Sequence, residues 1–399
     1  MPNKQYDLIL QQGNLLHHKT PQDIGIKDGK ITAIRDSIPI EHGKKHIDVS
    51  QKLVSPGFVD SHMHIDKAML GTDGNFTSLE AAGNASARLM ARIPADHLYE
   101  DILARSKDVL HMAIKSGTTA IKTNVVLSPA WGTTAMEAMI ALQKEYANQI
   151  TLQTAIPWSP DYSPYLHQLA QKGKLNHLGG YPHGSPDYRV YIDEAFAFAK
   201  NYDIPIDFHV NESDLPNIDI FLYIIEKTVA LGLEGSVTCG HVTALSALGL
   251  LDTLAKEAIQ KAADAEIHVT TLTSCNLYLM EMARRGPTHV RELVETGVNV
   301  SIASDNIRDP FRPFGNADLL EEALLTAQVH KYGLPEAHEM LFDMITYNPA
   351  KNSALQNYGL YEGADADLVI LDAPTPSKAL LSQVARLYVL KKGKIISQK

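Results

Sequence analysis

The two ends of the chain share one pattern of hydrophobic and polar positions. Short runs of β-branched and other apolar residues are separated by turn residues, and the 3.6-residue period of a helix is absent. The dipeptides Asp28-Gly29 and Lys392-Gly393 lie between such runs, at positions typical of two-residue β-hairpin turns. Each end is too short to bury a core of its own, so we expect the two ends to pair into one small β domain. The alternative is that they are two independent additions to the central part of the chain.

The central part of the chain alternates between short β-branched runs and longer amphipathic segments. Segments 95–117 and 288–297 have the spacing of helices and end in glycine, which favours the left-handed backbone that follows a helix. Eight strand–helix units over about 290 residues is the length of a (β/α)8 barrel. A doubly wound open sheet is the alternative fold, but no G-x-G-x-x-G motif opens a helix after a strand. The eight candidate strands are 57–65, 118–126, 149–156, 177–182, 203–211, 235–242, 266–273 and 299–305.

The pattern therefore predicts an α/β fold with two parts. Residues 56–350 are expected to form a (β/α)8 TIM barrel. Residues 1–55 together with 351–399 are expected to form a small composite domain, β-sandwich-like and built from both termini.

Composition narrows the class of protein. Of 399 residues, 45% are hydrophobic and 21% are charged, which are the values of a globular protein. The net charge of −10 and the lack of a basic block argue against nucleic acid or an anionic membrane as a partner. No apolar run approaches the ~18 residues of a membrane span, and the start of the sequence lacks a signal-peptide pattern. Two cysteines make no disulfide scaffold, so a cytoplasmic location is expected. The 17 histidines make a metalloenzyme the hypothesis to test.

Candidate chemistry begins at the end of the first predicted barrel strand. In a (β/α)8 barrel the catalytic groups come from the carboxyl ends of the strands, which form the mouth. His62 and His64 are two positions apart and face the same way, because strand side chains alternate. A chain with 17 histidines is expected to contain such a pair by chance, so its position at the mouth is what gives it weight.

Three further strand ends carry a possible ligand or proton carrier. Strand 5 ends in His209, with Glu212 just beyond it, strand 6 ends in His241 and strand 8 ends in Asp305. Each one alone is more simply a hydrogen-bonded core histidine or an aspartate that caps a helix. Together with the first pair, however, they place a possible ligand or proton carrier at four strand ends, which is hard to assign to chance. His183, after strand 4, is a further histidine within reach of the mouth.

Five segments of the sequence carry a resemblance to a known family. They are PGFVDSHMHIDK (56–67), FHVNES (208–213), GHVTA (240–244), ARRGPTHVRELVETGVNV (283–300) and ASDNIRDPFRPFGNADLL (303–320). These segments resemble the amidohydrolase superfamily, specifically its cytosine deaminase-like branch, and the last is most similar to a triazine-degrading member of that branch. The resemblance runs through nearly the whole chain and implies a composite β domain beside the barrel.

The resemblance implies one divalent metal ion, Zn²⁺ or Fe²⁺. Both ions suit three imidazoles and one carboxylate, so the ligand set does not choose between them. A two-metal variant of the fold needs a lysine at the end of strand 4, and the segment 177–184 has none, which favours a single ion. The implied ligands are His62, His64, His209 and Asp305.

The resemblance also implies how protons move during the reaction. Zn²⁺ lowers the pKa of a bound water to about 7, which makes a nucleophile available at neutral pH. Asp305 would take the proton from this water, and Glu212 would carry it to a ring nitrogen of the substrate. His241 would polarise or orient the attacking group.

The candidate substrate contacts depart from the cytosine deaminase pattern. Trp158 stands where relatives have a glutamine that reads the pyrimidine edge, and an indole offers only one donor and a flat face. Asn306 replaces an aspartate, Phe311 is the aromatic residue of the next loop, and strand 2 carries Asn124 and Val126 where relatives have His and Asp. These differences indicate a ring other than plain cytosine. The alternative is neutral drift in a cytosine-like pocket.

We therefore expect a metal-dependent hydrolase that displaces ammonia or an amine from an amino-substituted N-heterocycle. Its partner would be this small molecule, and by resemblance the protein is expected to be a homo-oligomer. One alternative is hydrolysis of an N-alkylamino group or of a cyclic amide. Another is a non-catalytic scaffold that kept the barrel, which the four intact ligand positions disfavour.

Overall fold

The strands of the protein form two sheets. The computed structural model describes residues 5–249, 252–279 and 287–399. Sixteen strands are present within these ranges. They are β1 (Leu8–Leu15), β2 (Gln22–Lys27), β3 (Lys30–Arg35), β4 (His46–Asp48), β5 (Leu53–Pro56), β6 (Phe58–Met63), β7 (Thr118–Asn124), β8 (Thr151–Pro157), β9 (His177–Gly180), β10 (Ile206–Val210), β11 (Val237–His241), β12 (His268–Thr271), β13 (Asn299–Ile302), β14 (Leu368–Leu371), β15 (Arg386–Lys391) and β16 (Lys394–Gln398).

Eight parallel strands, β6 to β13, form a barrel in the order of the chain. Each of them is hydrogen bonded to the next, and almost every residue in them is buried, as expected for strands covered on both faces. A parallel bridge between Met63 and Asp305 brings the end of the first strand beside the end of the last. The TIM barrel predicted from the sequence is therefore confirmed, and its strands end within about three residues of the predicted bounds.

Amphipathic helices surround the barrel strands. In the second helix, for example, Ile102, Val109 and Leu110 are buried among polar neighbours that face outward. No helix within the described ranges combines the length and the apolar character needed to cross a membrane. The helices are α1 (Leu79–Ala91), α2 (Leu98–Lys115), α3 (Thr134–Glu145), α4 (Ser163–Gln171), α5 (Tyr188–Tyr202), α6 (Asp219–Leu231), α7 (Ala244–Leu248), α8 (Thr253–Asp264), α9 (Thr273–Tyr278), α10 (Val290–Glu295), α11 (Leu319–Val329), α12 (Pro335–Asp343), α13 (Tyr347–Asn352) and α14 (Pro376–Ser382).

The strands from the two ends of the chain form the second sheet, as predicted. Its order is β16-β15-β14-β5-β1-β2-β3, with β4 beside β1. The antiparallel pairing of β5 with β14 joins the two ends. Both hairpin turns lie at the expected dipeptides, where Asp28 and Lys392 have φ values of 50° and 46°. These positive values match the right-handed twist of the flanking strands.

A single residue, Gly57, separates the terminal sheet from the barrel. A β-carbon at this position would overlap the side chain of Thr119, so only glycine lets β5 and β6 follow each other this closely. The predicted division into 1–55 with 351–399 and 56–350 stays a prediction. Residues 283–286, which begin one of the five segments that carry the resemblance, lie outside the described residues.

Candidate active site

Two histidines from the first barrel strand point into the mouth of the barrel. His62 lies in β6 and His64 follows its last residue, so the alternation of the strand places both rings on one side. Their Nε2 atoms lie 3.1 Å and 3.2 Å from Nε2 of His209, which belongs to β10. All three rings are buried.

Asp305 joins this group from the end of the last barrel strand, which lies beside the end of the first. It follows β13, and its backbone N–H donates to the carbonyl oxygen of His62 at 2.9 Å. Its Oδ1 lies 3.4 Å from Nε2 of His64 and 4.0 Å from Nε2 of His62. Neither carboxylate oxygen is hydrogen bonded to a described residue. A buried carboxylate in this state calls for a further partner, and a cation would supply it.

The separations within this group fit a metal centre. Four ligand atoms about 2.1 Å from one tetrahedral centre would lie about 3.4 Å apart. Four of the six separations among the three Nε2 atoms and Oδ1 of Asp305 are known, those of His62 and His64 from His209 and from Asp305, and they run from 3.1 to 4.0 Å. Burial lowers the pKa of His64 to about 3 and holds the pKa of His209 well below its usual value. Both rings are thus neutral at pH 7, which is the form of imidazole that binds a metal.

His241 and Glu212 lie beside the four possible ligands. His241 ends β11, and its Nδ1 lies 2.9 Å from Oδ1 of Asn276. Because an amide oxygen only accepts, we assign the proton to Nδ1 of this ring. Its Nε2 then faces Oε2 of Glu212 at 3.6 Å and Oδ2 of Asp305 at 3.9 Å. Burial would raise the pKa of Asp305, but its contact with His64 and the surrounding imidazoles hold that pKa well below its usual range.

A buried ion pair lies on the far side of the His62 ring. Nζ of Lys122, in β7, lies 2.7 Å from Oδ2 of Asp207, in β10, and neither side chain is exposed. Oδ1 of Asp207 lies 3.8 Å from Nδ1 of His62. Burial would raise the pKa of Asp207, but Lys122 and His62 hold it well below its usual range. A carboxylate beside the second nitrogen of a ligand imidazole restrains the orientation of the ring.

The group opens onto a cavity of about 280 Å³. This volume lies just below the roughly 300–1,000 Å³ of pockets for drug-sized ligands, so it suits a single small ring. A larger groove of about 850 Å³ lies between α2 and β16, but none of the possible ligands lines it. The described residues that line the cavity are His64, Lys67, Leu79, Gly83, Tyr181, His183, His209, Glu212, His241, Asp305, Asn306 and Phe311.

Comparison with known proteins agrees with this geometry. Residues 53–396 match the amidohydrolase family. The chain belongs to the amidohydrolase family. The resemblance inferred from the sequence is thereby confirmed, and so is the expected enzyme class, a hydrolase of carbon–nitrogen bonds. Amidohydrolase superfamily members use a divalent metal ion, in agreement with the cluster of histidines and Asp305.

The amidohydrolase is similar to characterised enzymes over nearly its full length. It is 29% identical over 405 residues to N-isopropylammelide isopropyl amidohydrolase of Pseudomonas sp. (strain ADP), with 99% of this chain and 98% of the relative covered. It is 27% identical to pterin deaminase of Rhizobium rhizogenes, with 94% of this chain and 88% of the relative covered. Its fold is similar to that of 5-methylcytosine deaminase from Klebsiella pneumoniae liganded with 5-fluorocytosine, with a TM-score of 0.88 and 23% identity. The superposition covers 98% of this chain and 97% of the other.

Two of the three predicted substrate contacts of the amidohydrolase line the cavity. Phe311 presents its ring to the cavity. Asn306 also lines it, but both ends of its amide are engaged. Its Nδ2 donates to Oδ2 of Asp309 at 2.6 Å, and its Oδ1 accepts from Sγ of Cys275 at 3.7 Å. Asn306 therefore shapes the cavity wall more than it offers free hydrogen-bonding groups.

Trp158 is turned away from the cavity of the amidohydrolase. It follows β8 directly, and its indole N–H donates to Oε2 of Glu194 at 3.1 Å. Its ring packs against Phe198, with 5.2 Å between the ring centroids. Trp158 is absent from the cavity lining given above, so the structure lends no support to the predicted contact.

Several cavity residues of the amidohydrolase were missed in the sequence. Tyr181 follows β9, and its ring centroid lies 4.4 Å from that of His209. Its position at the carboxyl end of a barrel strand, where side chains line the mouth, could have indicated it. Lys67 follows β6 by four residues and could have been found in the same way. Leu79 and Gly83 belong to α1, and no sequence pattern indicates that this helix covers the mouth. His183 lines the cavity, in agreement with its expected position.

Proposed function

We propose that the protein is a metal-dependent hydrolase that displaces ammonia or an amine from an amino-substituted N-heterocycle. The observation that carries the proposal is the cluster of three imidazoles and Asp305 at the floor of a small cavity, with Glu212 and His241 beside it. The names of the two sequence relatives, an ammelide hydrolase and a pterin deaminase, favour a nitrogen heterocycle as the substrate.

The metal-binding groups would be the side chains at three strand ends. The ligand set suits Zn²⁺ or Fe²⁺, one ion per chain. A divalent ion held there would supply a water molecule with a pKa near 7, a nucleophile at neutral pH. The proposed ligands are His62, His64, His209 and Asp305.

Two carboxylates would move the protons of the reaction. Asp305 would accept a proton from the attacking water through Oδ2, the oxygen that faces His241. As the new C–O bond forms at the ring carbon, Glu212 would carry this proton to a ring nitrogen. When the C–N bond breaks, the remaining proton of the attacking water would pass to the nitrogen that leaves. Nε2 of His241 lies between the two carboxylates, where it can orient the attacking water.

The walls of the cavity suit one flat ring. Phe311 and Leu79 offer apolar surface, while Tyr181 and Lys67 offer donors. We leave Trp158 out of the proposed substrate contacts because of its bond to Glu194. From the sequence we also infer a homo-oligomer in the cytoplasm.

The leaving group defines a second candidate function. The 29% identity with an enzyme named for release of an isopropyl-substituted amine favours an N-alkylamino substrate. Gly83 leaves space in the cavity wall for such an alkyl group, because a β-carbon at this position would meet only the Phe311 ring, at 3.9 Å.

One experiment separates these functions. The protein is loaded with Zn²⁺ or Fe²⁺ and given aminopyrimidines, aminotriazines, pterins and their N-alkyl analogues, and both ammonia and free alkylamine are measured. Ammonia release supports the deaminase, alkylamine release supports the second candidate, and ring opening of a cyclic amide releases neither. Asp305→Asn serves as the inactive control. The proposal is wrong if metal-loaded protein releases no amine from any ring of the panel.

A further inference from the structure

Lys67 places a positive charge in the cavity. The residue is only 8% exposed, and it belongs to the cavity lining. Its Nζ lies 4.1 Å from the centroid of the Phe311 ring, within the range of a cation–π contact. The ammonium group therefore faces the space in which the substrate would bind.

The backbone that carries Lys67 is held in place on both sides. Oδ2 of Asp66 accepts the backbone N–H of Val126 at 2.7 Å. The guanidinium of Arg105 donates to the carbonyl oxygens of Asp66 and Ala68, at 2.9 Å and 2.6 Å. These hydrogen bonds fix the backbone position of Lys67. The loop therefore directs the side chain towards the cavity.

Lys67 differs from the two other buried lysines among the described residues. Lys122 is paired with Asp207, and Lys391 is paired with Asp367. Nζ of Lys67 has neither an ion pair nor a hydrogen-bond acceptor in the described parts of the chain. Burying an ammonium that has an aromatic ring but no hydrogen-bond acceptor beside it is costly, so an acceptor from outside the chain is indicated.

Asp309, a carboxylate whose charge interacts with that of Lys67, is engaged with other donors. Oδ1 of Asp309 accepts the backbone N–H groups of Phe311 and Arg312, and its Oδ2 accepts from Asn306. Burial raises the pKa of Asp309 to about 6, and the charge of Lys67 opposes that shift without pairing the two groups. The protein thus leaves the ammonium donors directed at the cavity.

We propose that Lys67 binds an oxo oxygen, or the matching ring oxyanion, of the heterocycle. The substrates would then be amino-oxo rings in preference to rings that carry amino groups alone. This inference rests on the proposed function and narrows its substrate class. An ammonium hydrogen bonded to the oxo group satisfies the buried charge. It also draws electron density out of the ring, which makes the carbon that bears the amine easier for water to attack.

Binding of two matched triazines tests the inference without turnover. Cyanuric acid carries three oxo groups and melamine carries three amino groups on the same ring. By isothermal titration calorimetry, metal-loaded wild type should bind cyanuric acid more tightly than melamine. Lys67→Met should weaken the binding of cyanuric acid ~10–100-fold, the range for a hydrogen bond to a charged group. The affinity for melamine should stay within about twofold of the wild-type value. Lys67→Arg, which keeps the charge, should retain most of the preference.

Two results would overturn the inference. One is a wild type that shows no preference for cyanuric acid, including one that binds neither ring. The other is a Lys67→Met variant that loses affinity for both rings equally. Lys378→Met, at an exposed position of α14, controls for loss of one positive charge and should bind as the wild type does. If Lys67→Met fails to fold, as judged by thermal unfolding and metal content, Lys67→Gln is measured in its place.

Turnover provides a second and separable result. Cytosine differs from 4-aminopyrimidine by the ring oxo group and the ring N–H that accompanies it, and kcat/KM for cytosine should exceed that for 4-aminopyrimidine. Lys67→Met should reduce this ratio, mainly through KM. If no ring of the panel releases an amine, the proposed function is wrong. The calorimetry still tests, independently of turnover, whether Lys67 binds the oxo group.

Discussion

Replacing Lys122 with methionine should strongly destabilise the barrel. The ammonium of Lys122 and the carboxylate of Asp207 lie 2.7 Å apart with neither side chain exposed. At an effective dielectric constant of about 20, two unit charges at this distance attract by about 6 kcal/mol. The other acceptors of Lys122, both on Asn352, lie at 3.4 and 3.5 Å and contribute less.

The expected loss follows from what remains after the substitution. Lys122→Met leaves Asp207 as a buried carboxylate without its counter-ion, which should lower the free energy of unfolding by ~3–5 kcal/mol. The double variant Lys122→Met/Asp207→Leu removes both charges, so it should be more stable than the single variant and within about 2 kcal/mol of wild type.

Urea denaturation, followed by circular dichroism, measures these free energies. It is performed with and without saturating Zn²⁺, because Asp207 also lies beside His62 and a change in metal affinity would otherwise enter the result. Lys378→Met again controls for the loss of one charge. A single variant within about 1 kcal/mol of wild type, or a double variant less stable than the single, would refute this reasoning.

Four further predictions concern the reaction and the stability of the protein. Asp305→Asn should abolish amine release, and an undiminished rate would remove this carboxylate from the mechanism. Glu212→Gln should keep its metal, measured by mass spectrometry, while the rate falls by ~10²–10⁴, whereas loss of metal would make Glu212 a ligand. Gly83→Ala should raise the free energy of unfolding by about 0.5–1 kcal/mol, since the position lies within α1 and the new β-carbon meets only Phe311, at ordinary contact distance. A lower melting temperature for this variant would contradict that. Burial lowers the pKa of His268 from 6.5 to about 4, so the stability from its neutral form is present above pH 6.5 and is lost as the pH falls through 4. This loss is on the order of 3 kcal/mol, and His268→Gln should flatten the pH profile in that window.

Local patterns were enough to predict the fold. Short β-branched runs followed by amphipathic helices imply parallel strands, and in a closed parallel barrel consecutive strands are also neighbours in space. The order of the chain therefore predicts the order of the sheet. The terminal hairpins could also be predicted from the sequence, because a turn such as Asp28-Gly29 needs residues that tolerate positive φ.

The same logic predicted which residues meet at the site. A side chain at the carboxyl end of a barrel strand lies at the mouth whatever its sequence distance from the others. His62, His209 and Asp305 come together for this reason, although more than 140 positions separate the first two. The metal-ligand roles themselves stay proposals until the ion is measured.

The sequence by itself determined the barrel, the composite terminal sheet and the strand ends that carry histidine and aspartate. Only the tertiary structure decided which way Trp158 turns, that Lys67 enters the cavity, and that Lys122 is paired with Asp207. The physical reason is the range of the interactions. Strand alternation is local, but a side chain beyond a strand turns towards partners on distant elements, and a buried charge pairs with whichever opposite charge the folded barrel places across its interior.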